Sequence, residues 1–75
     1  MNKKRNLVIK NRVKELRIER GLSQITLAEM SRTTQNTISQ IENGKYSPTL
    51  YLAMLIVNAL DCKVEDCFYF EMEDN

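Results

Sequence analysis

The sequence predicts a mainly α-helical fold of five short helices, with a small antiparallel β pair formed by the two ends of the chain. Three observations point there. Apolar residues recur at helical spacing through the middle of the chain, in stretches opened by Ser, Thr or Asn, and the two glycines, Gly21 and Gly44, close two of them. Runs of β-branched and aromatic residues occur near the ends, at Leu7-Val8-Ile9 and at Phe68-Tyr69-Phe70-Glu71-Met72. The 75 residues, 43% of them hydrophobic, suffice for a single domain over residues 1–75 with a small core. Such a core supplies roughly 3 to 5 kcal/mol unless a disulfide, a metal or a partner chain adds to it.

Taken in order, Leu7 to Ile9 form the first strand, marginal alone and expected to pair with the run at 68–72, where Phe68, Phe70 and Met72 alternate onto one face. Asn11 is a candidate cap for a helix over about 12–20, with Val13, Leu16 and the stem of Arg20 on its inner side. Gly21 ends it in the left-handed conformation. Ser23 caps a second helix from Gln24 to about Ser31, with Leu27, Ala28 and part of Met30 inward. Thr34 caps a third, Gln35 to about Asn43, with Ile38 and Ile41 inward and Gly44 as its stop. Thr49 opens the longest helix, 50–60, whose buried stripe is expected at Leu52, Leu55, Ile56, Ala59 and Leu60. A last turn at 64–67 leads into Phe68.

Several function classes lose support on composition. The chain has no histidine, which removes the commonest general base, and no glycine-rich phosphate loop or nucleophile elbow. Cys62 and Cys67 are too few for a zinc site, so no metal or cofactor is expected and both read as packing residues in a reducing compartment. No stretch approaches the roughly 20 apolar residues that span a bilayer, and no hydrophobic run of signal-peptide length is present, so a cytoplasmic protein that is not an enzyme is expected.

Net charge is +1, yet the first twenty residues hold eight basic side chains against Glu15 and Glu19, while from 61 onward Lys63 faces six acids. One end is thereby expected to favour a polyanion and the other to avoid it. A basic arm over 1–6, with Lys3, Lys4 and Arg5, is placed toward that polyanion.

The third helix carries polar side chains that are either ordinary solvated surface or groups able to read the base edges of duplex DNA. With Ile38 and Ile41 inward, Gln35, Asn36, Ser39 and Gln40 are left on outer or N-terminal positions. A Gln or Asn amide offers a donor and an acceptor in one plane, which matches the N6/N7 edge of adenine in the major groove.

Leu16-Arg17-x-x-Arg20-Gly21-Leu22-Ser23-Gln24, Leu27-Ala28, Thr33-Thr34-Gln35-Asn36-Thr37-Ile38-Ser39-Gln40-Ile41-Glu42-Asn43-Gly44-Lys45 and Pro48-Thr49-Leu50 resemble the Cro and lambda-repressor-like (Xre-like) helix-turn-helix family, over about residues 10–68. The resemblance implies a lambda-repressor-like bundle whose helix-turn-helix covers about 24–43. It implies base contacts from Gln35, Asn36 and Gln40, and phosphate contacts from Gln24, Thr34, Asn43 and Lys45; Ser39, on the same outer face, is added to the base set, and Thr37 and the basic side chain of Arg32 to the phosphate set. Gln24 is similar to a glutamine that also braces the first recognition residue. Arg17 and Glu42 match a structural ion pair beneath the motif. Departures are Arg32, standing where the family usually has glycine, and Ile25, standing where an acidic residue is common. A left-handed Arg32 costs about 1 kcal/mol or more.

One motif of this size reads few base pairs, so a homodimer on a two-fold-symmetric site is expected, with recognition helices about 34 Å apart. Tyr51, Met54, Val57, Tyr69, Phe70 and Met72 are surplus to the core and are assigned to the dimer interface. Length, helix order and the terminal strands are similar to the short cytolysin-repressor type, a rigid dimer. The expected function is a sequence-specific transcriptional repressor. The alternative is an antitoxin-like protein-interaction module with secondary DNA binding, motivated by Ile25 and the aromatic tail.

Overall fold

The computed structural model describes residues 5–74 and contains five helices and a two-stranded sheet in the order β1 (Arg5–Asn11), α1 (Val13–Glu19), α2 (Gln24–Met30), α3 (Gln35–Glu42), α4 (Leu50–Ala59), α5 (Val64–Cys67) and β2 (Phe68–Asp74). Lys3 and Lys4 of the expected arm lie outside the described residues. Arg5, by contrast, already belongs to β1.

The helix boundaries follow from local hydrogen bonding. Ser23, Thr34 and Thr49 each accept the amide of the residue three positions on, at Thr26, Thr37 and Leu52. Asn11 acts one step earlier than expected: Arg12 is the N-cap of α1 and has no side-chain bond there, while Asn11 Oδ1 accepts the Val13 amide at 3.0 Å. Asn11 Nδ2 also donates to the Ile41 carbonyl at 3.0 Å, which ties the end of β1 to α3.

At their C-termini α1, α2, α3 and α4 end alike. The amides of Leu22, Thr33, Lys45 and Cys62 reach back to the carbonyls of Arg17, Ala28, Gln40 and Val57. That closure needs a left-handed residue just past each helix, and the four are Gly21, Arg32, Gly44 and Asp61, with φ between 56° and 74°. Arg32 therefore does adopt the backbone expected of glycine, and Asp61 does the same.

The core is formed by Val13, Leu16, Leu27, Ala28, Ile38, Ile41, Ile56, Val57, Leu60 and Cys67. Two inward assignments change. Met30 is exposed, because α2 packs through Leu27 and Ala28 alone. On α4 the buried side chains are Ala53, Ile56 and Val57, while Leu52, Leu55 and Ala59 are half-buried. The α4 segment is apolar around most of its circumference, so helical periodicity does not choose a stripe. Packing of α2 on one side and α5 on the other does. Val57 consequently belongs to the core and not to a dimer interface. Burial raises the thiol of Cys67 to about 11.

β1 and β2 pair antiparallel, as expected, and run two residues beyond the predicted ends, with Asn11 opposite Phe68, Ile9 opposite Phe70, Leu7 opposite Met72 and Arg5 opposite Asp74. The register sets β1 beside the acid-rich strand β2. Lys10 Nζ lies 3.8 Å from Glu71 and 3.9 Å from Glu73. Within the described residues, the basic side chain of Lys10 is thereby placed among acids of the C-terminal strand. No described helix is long and apolar enough to cross a membrane.

Candidate nucleic-acid interface

α2 and α3 are joined by four residues, 31–34, and meet at their buried sides through Leu27, Ala28, Ile38 and Ile41. At about 100° per residue, Gln35, Ser39, Asn43, Asn36 and Gln40 fall within an arc of about 140° on the side of α3 away from Ile38 and Ile41. Gln35, Asn36 and Gln40 are exposed and Ser39 is half-buried. All four expected base-contacting residues therefore lie on one outward surface.

The expected phosphate contacts form a looser set. Thr34, Arg32, Asn43 and Lys45 are exposed, and Thr37 and Gln24 are half-buried. Arg32 stands in the turn before α3 and Lys45 just past its end, so the two flank the helix with positive charge. Asn43 is the C-cap of α3. The hydroxyls of Thr34 and Thr37 lie 3.0 Å apart and share one hydrogen bond.

Beneath this surface Arg17 and Glu42 pair as expected. Arg17 Nε donates to Glu42 Oε2 at 2.6 Å and Nη2 to Oε1 at 3.2 Å, while Nη1 donates to the Leu22 carbonyl at 2.8 Å. Only 11% and 2% of the two side chains is exposed. The fork-to-carboxylate geometry fixes α3 against the end of α1. Glu42 Oε1 further accepts from Gln24 Nε2 at 3.0 Å, and Gln24 Oε1 accepts from Gln35 Nε2 at 3.4 Å. The brace of Gln24 on Gln35 is thus present, and its anchoring to Glu42 joins positions that nothing in the local sequence links.

Residues 13–67 match the helix-turn-helix family. The chain belongs to that family. It is a helix-turn-helix DNA-binding transcriptional regulator of the Xre type, and its fold is lambda-repressor-like. It is 46% identical over 66 residues to the HTH-type transcriptional regulator YgzD of Bacillus subtilis (strain 168), covering 88% of this chain and all of that one. The immunity repressor protein of Bacillus phage phi105 is 31% identical over 58 residues, covering 77% of this chain and 40% of the phage protein. Among solved structures, the restriction-modification controller protein C.AhdI from Aeromonas hydrophila superposes with a TM-score of 0.71 at 33% identity, over 73% of this chain and 80% of that one.

The helix-turn-helix regulator also carries a second surface. Opposed residues of an antiparallel pair share a face, so Leu7, Ile9, Phe70 and Met72 form one apolar side of the β1–β2 ribbon. All four are more than half exposed, Phe70 at 67%. Tyr69 pairs with Lys10 on the other face, apart from Phe70 and Met72. Shallow grooves that share Val64 connect this side, through Ile9 and Phe68, to Leu50 and to Tyr51 and Met54 on α4. The sequence gives no surface role to Leu7, Ile9 and Leu50, because each sits in a short apolar run that reads equally well as core.

Proposed function

We propose that this regulator is a repressor that binds a two-fold-symmetric DNA site as a homodimer, with α3 in the major groove of each half-site. Gln35, Asn36, Ser39 and Gln40 read base edges, and Gln24, Arg32, Thr34, Thr37, Asn43 and Lys45 hold phosphates. The observation that carries the reading is the shared outward arc of amide and hydroxyl tips on a helix whose opposite side is locked into the core. Likeness to a phage immunity repressor favours repression, in which occupancy of the site by itself excludes other proteins.

The apolar strip supports the dimer. Leu7, Ile9, Leu50, Tyr51, Met54, Phe70 and Met72 are each at least half exposed. At roughly 200 Å² for a fully exposed large side chain, they present on the order of 800 Å², the share one partner contributes to a standard interface. A monomer rarely leaves more than a few hundred Å² of continuous apolar surface in water. Phe70→Glu is accordingly expected to shift sedimentation to the monomer and weaken operator binding.

Binding to duplexes selected from a random pool tests the base reading. Gln35→Ala is expected to cost about 1 to 3 kcal/mol on the selected site and to relax the preference at one position per half-site. Lys45→Ala weakens selected and random duplexes alike and lowers the salt slope by about one. Equal losses for Gln35→Ala on both kinds of DNA would refute base reading. A stoichiometric complex with a different protein, stable to nuclease, would instead support the antitoxin-like alternative, for which exposed Ile25 and the same apolar strip are the candidate contacts.

A further inference from the structure

We propose that Glu42, whose side chain is almost wholly buried against Arg17, determines which base Gln35 selects, because it fixes the hydrogen-bond polarity of the Gln24–Gln35 pair. The inference rests on base reading by α3. Its starting point is a chain of four side chains, Arg17, Glu42, Gln24 and Gln35, joined end to end by the hydrogen bonds already described.

The direction of that chain is set by chemistry at its buried end. A guanidinium only donates, and the carboxylate it grips only accepts. Gln24 must therefore turn its NH2 toward Glu42, since the opposite orientation sets its carbonyl oxygen against a carboxylate oxygen. Its own oxygen then faces α3 and accepts from Gln35. Gln35 in turn must spend one N–H inward, which leaves its carbonyl oxygen and its second N–H for the groove. An acceptor beside a donor fits adenine, with its N6 donor and N7 acceptor. It does not fit guanine, whose O6 and N7 both accept. An isolated glutamine would rotate its amide to suit either base. In this chain a buried charge removes that freedom, and the polarity is transmitted across two amides to the surface.

Two variants separate this role from simple support of the fold. In Glu42→Gln the remaining oxygen stays with Arg17 Nε, the shorter of the two Arg17 contacts at 2.6 Å, so the new NH2 takes the place of Oε1 and faces Gln24, with loss of the 3.2 Å bond from Arg17 Nη2. Gln24 then reverses, Gln35 reverses with it, and two N–H donors face the groove. In Gln24→Met the buried ion pair is kept and the relay is cut. The experiment measures competitive binding to duplexes carrying each of the four bases at the position where Gln35→Ala flattens the preference.

The wild-type chain is expected to prefer adenine to guanine there by about tenfold or more, within the range of a good bidentate contact. Glu42→Gln lowers that ratio about tenfold or inverts it, and Gln24→Met brings it close to one. Preferences at positions that do not respond to Gln35→Ala stay unchanged in both variants. If Glu42→Gln fails to fold, as judged by circular dichroism, Gln24→Met carries the test. If Gln35→Ala flattens the preference while either Gln24→Met or a folded Glu42→Gln retains the wild-type ratio, the polarity relay is overturned and base reading stands. If Gln35→Ala leaves every preference intact, both are overturned.

Discussion

In the α2–α3 pair the apolar side chains are buried and the polar tips stand outward, whereas in the β1–β2 ribbon Leu7, Ile9, Phe70 and Met72 stand outward on one face and Lys10 meets Glu71 and Glu73 on the other. The two regions also hold their ions differently. Arg17 and Glu42 are almost wholly buried and joined by two hydrogen bonds, with Gln24 as a third partner. Lys10 lies near Glu71 and Glu73 with about half of each side chain in water. The contrast shows what each region does. The helix pair is a rigid mount whose precision comes from a desolvated, fully paired charge. The ribbon is held by backbone ladder bonds, and its exposed apolar face is suited to being covered.

The largest effect is expected where the buried pair is broken. Arg17→Met leaves the Glu42 carboxylate uncompensated and should cost about 3 to 5 kcal/mol in urea unfolding, while the double change Arg17→Met/Glu42→Leu should recover most of it. A single-variant loss under about 1 kcal/mol would erase the contrast between the two kinds of ion pair.

A smaller effect probes the root of the ribbon, where α5 passes into β2 at Cys67. Its thiol titrates near 9 when unfolded and at about 11 in the folded chain, raised first of all by burial. Between those values the folded state keeps a proton that the unfolded state releases, so stability falls as pH rises, by about 2 to 3 kcal/mol across the interval. Unfolding midpoints measured from pH 8 to 11 should show this slope, and Cys67→Ala should remove its share. An unchanged slope in the variant would mean that water reaches this corner of the core.

The smallest effect is expected at the ribbon's ion pairs. Lys10→Met should change stability by no more than about 0.5 kcal/mol, and 1 M salt should abolish the difference. A larger, salt-resistant loss would place the ribbon in the same class as the helix mount.

Much of the recognition unit was legible before the structure because its determinants are local. A cap hydrogen bond spans three residues and a helix-ending turn spans five, so Ser23, Thr34, Thr49, Gly21 and Gly44 could be read from their neighbours. The outward positions of Gln35, Asn36 and Gln40 followed from Ile38 and Ile41 by helical geometry. The bracing of Gln35 by Gln24 and the pairing of Arg17 with Glu42 came from resemblance, since neither is written in local spacing.

The amino-acid sequence by itself determined the order and type of the elements, the face of α3 turned outward and the pairing of the two ends, because hydrogen bonds within a few residues and the period of apolar side chains are properties of the chain alone. Tertiary structure decided three further things. It selected Val57 for the core of an α4 that is apolar nearly all round. It laid β1 along the acid-rich β2, setting Lys10 beside Glu71 and Glu73. It brought Glu42 within reach of Gln24, eighteen positions away. Each depends on which surfaces meet across the bundle, and burial and charge pairing act through space between residues whose separation along the chain carries no signal of their contact.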